Sequence, residues 1–162
     1  MYDPNPLKTM SEQSALDELQ GFLEKEIPMY LQMGIRIDQY GPDGLTMQLP
    51  LKPNRNHHQT AFAGSLNALC TMAGWGMTYL LLQELGRDGK IVIQRSSIRY
   101  HTPVKTAEVF ARCEPIADES KAFFLEMLDE KDQTKLDLKV EVPGTSRPAV
   151  AFEGSYVVIA RG

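Results

Sequence analysis

Cysteine is scarce in this chain of 162 residues, which has only Cys70 and Cys113. Neither stands in a Cys-x-x-Cys pair or a Cys/His spacing of the zinc type, so the sequence offers neither a disulfide framework nor a metal site. No signal-peptide pattern opens the chain, and reduced thiols in a cytoplasmic protein are the expectation. Blocks of basic residues are also missing. The 17 Lys and Arg are scattered among 21 Asp and Glu, for a net charge of −4, which argues against nucleic acid as a partner. Internal repeats and linkers are absent, and the length suits one domain with its own core. That domain is expected over residues 13–162, behind a polar, flexible tail at residues 1–12 that holds Pro4 and Pro6.

Charge is missing altogether from residues 60–83. Length alone would permit a membrane span. Composition argues otherwise, because Ser65, Asn67, Thr71, Thr78 and Gln83 interrupt the apolar residues and no basic flank marks a cytoplasmic end. No membrane partner is expected. Such a helix must instead be enclosed by protein, and Ala63, Gly64, Ala68, Ala73, Gly74 and Gly76 let neighbouring backbone come close.

Around that helix the patterns alternate. Leu16, Leu19, Phe22, Leu23 and Ile27 recur at helical spacing, with Ser14 and Asp17 resembling a capping box and Pro28 as the stop. Ile35 and Ile37, then Leu45, Met47, Leu49 and Leu51, flank a Gly41-Pro42-Asp43-Gly44 turn and predict a hairpin. Residues 90–100 and 106–113 read as strands, as do Leu136 to Val142 and Ala149 to Ala160. Residues 118–131 fit a strand through Phe123, Leu125 and Met127. They also fit a helix through Ala122, Phe124, Leu125 and Leu128 capped by Asp118, and the helix is preferred because cleaner strands lie on both sides. Six strands with short turns, a short N-terminal helix, the uncharged helix and an extra surface helix predict an antiparallel α+β sheet wrapped around one long central helix.

The run from Asn54 through His57, His58, Thr60, Phe62 and Gly64 to Leu66, followed by Ala73-Gly74-Trp75-Gly76, resembles the central-helix motif of hotdog-fold thioesterases. More narrowly, it resembles the thioesterase domain at the C-terminus of YiiD-type proteins, and Ile98 to Val104 is similar to the hotdog strand that ends in a Tyr-x-x-Pro turn. The resemblance spans roughly residues 33–160. It implies a homodimer, with pairing into a dimer of dimers left open, that binds acyl-CoA or acyl-carrier-protein thioesters at the subunit interface. Coenzyme A then enters only as part of the substrate, and no cofactor is implied.

Thioester hydrolysis needs donors for an oxyanion, a group that orients or deprotonates water, and a groove for the acyl chain. The first turn of the helix supplies free N–H groups at Ala63, Gly64 and Ser65. On the family's His-Gly-Gly pattern, Phe62 stands at the histidine and Thr71 where many hotdog thioesterases carry their acid, so that carboxylate is missing. The same alignment puts Asn56 where related enzymes orient water or the thioester. His57 and His58 are the titratable substitutes, expected to point in opposite directions in an extended loop, so that one at most reaches a substrate. Thr60 reads as a helix cap or a water ligand. Gln94, Ser96, Ile98 and Tyr100 share one strand face and Arg95, Ser97 and Arg99 the other, and the arginines are candidates for coenzyme A phosphates. Trp75, Met72, Met77 and Tyr79 suit core or acyl-groove lining. Two other activities fit the resemblance: an acyl-thioester dehydratase or hydratase, and a non-catalytic acyl-CoA-binding module.

Overall fold

The computed structural model describes residues 6–161, with side chains described from residue 12 onward. Its elements are helix α1 (Pro6–Glu26), helix α2 (Pro28–Met33), strands β1 (Arg36–Gly41) and β2 (Gly44–Pro50), and a 3-10 turn at Lys52–Asn54. Helix α3 (Ala63–Leu85), strands β3 (Gly89–Tyr100) and β4 (Glu108–Cys113), helix α4 (Asp118–Lys131), and strands β5 (Gln133–Val142) and β6 (Val150–Ala160) complete it. All strand pairs are antiparallel in one six-stranded sheet of order β1-β2-β4-β5-β6-β3. The sheet curls around α3, and this is the expected hotdog fold.

The uncharged helix begins at Ala63 as its sequence implies, and the side chains of Leu66, Leu69, Cys70, Ala73, Met77 and Leu81 are buried against the sheet. Full burial of each leucine is worth about 1.5–3 kcal/mol. Gly74 sets the approach of helix and sheet, since a Cβ there would strike the ring of Tyr156 on β6. The Tyr156 hydroxyl donates to the Thr71 carbonyl at 2.8 Å, so the buried phenol is paired rather than stranded.

Three sequence expectations need correction. The first helix runs from Pro6, not from Ser14, so it is long and part of the expected tail is helical; residues 1–5 lie outside the described residues. Ser14 and Asp17 therefore sit within the helix, where Asp17 accepts from the Gln13 amide. Pro28 does more than stop α1. It occupies the first turn of α2, where a missing N–H costs nothing, and α2 closes on Gly34 in the left-handed conformation. Asp118 is the first residue of α4 and Ala117 its cap, so Asp118 and Glu119 favour the helix start by charge.

Helix α1 packs on α3, and helix α4 packs on β5 and β6. Leu19 and Leu23 of α1 are buried, and Phe22 stacks on Trp75 with ring centroids 5.7 Å apart. Phe124 and Leu128 of α4 are buried, while Lys121 pairs with Glu84 and Arg87 forms a two-pronged pair with Asp129, pinning α4 to the C-terminal end of α3. Near the middle of the sheet the ladder narrows. Strands β4 and β5 pair through Arg112 with Glu141 and Cys113 with Val140, followed by one more backbone bond from the Glu114 N–H to the Lys139 carbonyl at 3.0 Å.

Candidate functional site

Strand β3 is an edge of the sheet, bonded only to β6, and it is mostly exposed along its 12 residues. A bulge between Ile93 and Arg95 leaves Gln94 without a ladder partner. The expectation that Gln94 shares a face with Ser96 therefore fails at that residue, because the extra residue resets the alternation. Beyond the bulge, Ser96, Ile98 and Tyr100 pair with Gly154, Phe152 and Val150, whereas Arg95, Ser97 and Arg99 pair with Ser155, Glu153 and Ala151. Phe152 and Val150 belong to the core, so the Ser96-Ile98-Tyr100 face is the one turned to α3.

Strand β3 delivers Tyr100 to the start of α3. Its hydroxyl donates to the Ala63 carbonyl at 3.2 Å and also lies beside Asn67. Burial holds this phenol above its ordinary pKa, the Cys70 thiol adds to the effect, and the Asn67 hydrogen bond pulls it back. One turn on, the Thr71 hydroxyl donates to Asn67 Oδ1 at 3.2 Å. Tyr100, Asn67 and Thr71 thus form a polar file along the half-exposed side of the helix. Neither Tyr100 nor Asn67 was singled out as a site residue from sequence, although the i, i+4 spacing of Asn67 and Thr71 was a readable signal.

No side chain caps α3. Its N-cap is Phe62, so the backbone N–H groups of Ala63, Gly64 and Ser65 are left with the helix dipole behind them. Thr60, expected as the cap, has its hydroxyl engaged by the Asn56 amide at 2.9 Å and is buried. Ser65 is buried too. Phe62 is 54% exposed, and its ring lies against Gly64, where a Cβ would collide with it. The close approach that this glycine permits is therefore made by the chain's own aromatic ring.

The preceding loop is a closed turn. Asn56 Oδ1 accepts from the N–H groups of His58 at 2.9 Å and Thr60 at 3.2 Å, and Asn56 N–H donates to the Thr60 carbonyl at 2.7 Å. Gln59 takes a positive φ of 62° to complete it, and Arg55 bridges Ala61. This turn overrides the extended geometry expected of His57 and His58. Both are exposed at the tip, and their ring centroids lie 3.9 Å apart, side by side rather than opposed. Buried Asn54, the first residue of the motif, anchors the base of the loop by donating to the carbonyls of Met33 and Pro50.

Arg95, Ser96 and Ser97 line a cleft of about 340 Å³ together with Asp137, Glu153, Gly154 and Ser155, with Arg95 and Ser97 on the face turned away from α3. Two carboxylates thus share this cleft with Arg95, and Asp137 accepts from the Ser155 hydroxyl. Arg99 is exposed at the far end of the same face. Among the described residues no three His, Cys, Asp or Glu side chains gather as metal ligands, and no helix is long and apolar enough to cross a membrane.

The family model described as putative thioesterase (yiiD_Cterm) matches residues 16–160. The chain belongs to this family. A putative thioesterase from Shewanella oneidensis is 33% identical, covering 91% of this chain and 99% of that one with a TM-score of 0.78. A protein of unknown function from Chlorobaculum tepidum TLS is 29% identical over 93% of this chain and 97% of its own, with a TM-score of 0.87. A thioesterase from Haemophilus influenzae is 16% identical, covers 90% of each chain at a TM-score of 0.67, and bears on the fold alone.

Proposed function

We propose that this YiiD-type protein hydrolyses acyl thioesters of coenzyme A or acyl carrier protein at the N-terminus of α3. The observation that carries this reading is the uncapped first turn at Ala63, Gly64 and Ser65, set beside the Tyr100 hydroxyl. Water adds to the thioester carbonyl, and the N–H groups hold the resulting oxyanion. The tetrahedral intermediate then expels the thiolate, which takes up the proton that the attacking water releases. Asn56 and the imidazoles of His57 and His58 are the groups of the adjoining loop proposed to position or deprotonate that water. Arg95, Ser97 and Arg99 are proposed for the carrier's phosphates.

The active species in this reading is a homodimer joined along β3. A long, exposed edge strand with Val92 and Ile93 uncovered is an open template for pairing, and a second copy of β3 covers it. Hydrolysis of a panel of acyl-CoAs by protein of measured mass in solution tests both parts. Thiol release above background from a dimer is the expected result, and no turnover at any chain length by the folded dimer overturns the hydrolase. A second reading, a non-catalytic acyl-thioester-binding module, gains from the way Asn56 is spent on its own loop. It predicts ligand-induced stabilisation without turnover.

A further inference from the structure

An apolar cavity of about 180 Å³ lies between α2 and α3. Ile27, Met29 and Met33 form one wall, and Ala68, Thr71 and Met72 the other. Both hydroxyls in that lining are committed elsewhere, Thr71 to Asn67 and Tyr30 to Gln20, so the cavity presents mainly hydrocarbon to its contents. Gly64, Ala68 and Thr71 stand at i, i+4 and i+7, on one face of the helix. The rise of an α-helix puts Ala68 about 6 Å and Met72 about 12 Å beyond Gly64 along the axis. A carbonyl held at the first turn can therefore send its substituent along this face into the cavity, whereas an acetyl group ends short of it.

We infer that the cavity between α2 and α3 receives the alkyl part of the thioester and makes this protein selective for medium-length acyl chains. The inference rests on the reading of the α3 N-terminus as the thioester site. Its wall from α2 exists because Pro28 starts that helix and Gly34 turns the chain back toward β1, so specificity is set by a segment outside the central-helix motif. Ala68 is the selectivity residue on the helix side, being small where the cavity meets the route from Gly64. Met33, on the opposite wall, limits its depth.

The test measures binding of S-butyl-, S-octyl-, S-decyl- and S-dodecyl-coenzyme A thioethers by calorimetry, beside hydrolysis of the matching acyl-CoAs. For the unmodified protein, affinity is expected to rise up to about fourfold per added methylene until the cavity is full. Ala68→Leu should remove at least tenfold of the decyl-over-butyl advantage, and Met33→Ala should move the optimum to a longer chain, both in protein that melts as a single folded species. Affinity independent of chain length in the unmodified protein overturns the inference, as does a chain-length advantage that both variants retain in full. Chain-length-dependent binding that responds to both variants, with no hydrolysis of any acyl-CoA, upholds the cavity and rejects the hydrolase. Hydrolysis with no such dependence does the reverse.

Discussion

The Tyr100 hydroxyl donates to the Ala63 carbonyl, 3.2 Å away, joining the last residue of β3 to the first residue of α3. This contact brings the sheet's exposed edge to the helix terminus proposed to bind the thioester carbonyl. Tyr100→Phe keeps the ring and deletes the bond. Because the side chain is half exposed, the stability loss should stay near the 0.5–1.5 kcal/mol usual for one hydrogen bond. The value of kcat/KM for acyl-CoA should nevertheless drop about tenfold. Urea denaturation and steady-state kinetics on the same preparation separate these outcomes, and equal activity in both proteins removes Tyr100 from the site.

Two glycines of α3 should respond differently to alanine. At Gly74 the new methyl meets the ring of Tyr156, which is buried and hydrogen-bonded to Thr71, so it has nowhere to move. A loss of about 1–3 kcal/mol is expected from overpacking. At Gly64 the obstacle is the exposed ring of Phe62, which can swing away, and the gain in helix propensity offsets part of the cost. Urea midpoints should therefore fall clearly for Gly74→Ala and change little for Gly64→Ala.

Asn56 and the histidines separate a loop effect from a chemical one. Asn56→Ala breaks the bonds to Thr60 and His58, and faster hydrogen exchange at His58 and Thr60 should accompany a lower kcat. His57→Ala and His58→Ala affect exposed side chains, so each should leave stability within about 0.5 kcal/mol of the parent. If an imidazole is the base, the double variant loses the acid limb of the kcat/KM profile. An unaltered profile assigns water activation elsewhere.

High pH should unfold this protein by way of its core. Burial pushes the thiols of Cys70 and Cys113 up to about 12, with Glu114 and Cys70 adding to the effect at Cys113. Tyr30 and Tyr156 are raised as well, chiefly by burial. In each case the neutral form is the one the fold favours. That stability is complete below the unfolded-state pKa, which is 9.0 for the thiols and 10.0 for the phenols, and it is lost as pH rises toward the folded-state values. Each such group should contribute a decline of up to about 1.4 kcal/mol per pH unit in that window. Urea titrations from pH 8 to 11 check the slope, and neither thiol should react with Ellman's reagent at pH 8 before unfolding.

Much of the architecture could be read from the sequence because the relevant signals are local. The uncharged helix starts at Ala63 and the ambiguous segment Asp118–Lys131 is helical, both as the patterns imply. Other features depend on contacts that alternation does not record. The edge position of β3 follows from its pairing with the last strand, β6, and the Gln94 bulge is invisible in a run without a turn residue. Pro28 reads as a stop in the sequence, and its second role as the start of α2 is seen only in the fold, where the helix buries its own Tyr30. His57 and His58 lie side by side because the side chain of Asn56 folds the loop back on itself, an interaction that residue types alone do not reveal. Tyr100 and Asn67 meet across a long stretch of chain for the same reason.

The narrow join between β4 and β5 makes the backbone ladder across mid-sheet two residue pairs and one further bond wide. Strands β1, β2 and β4 hold the base of the histidine loop on one side of that seam, and β5, β6 and β3 carry Tyr100 on the other. Cooperativity between the two sides must pass largely through α3, whose side chains pack on both. The central helix therefore acts as the keel of the molecule, and a substitution on its buried face should be felt at once by both rows of strands.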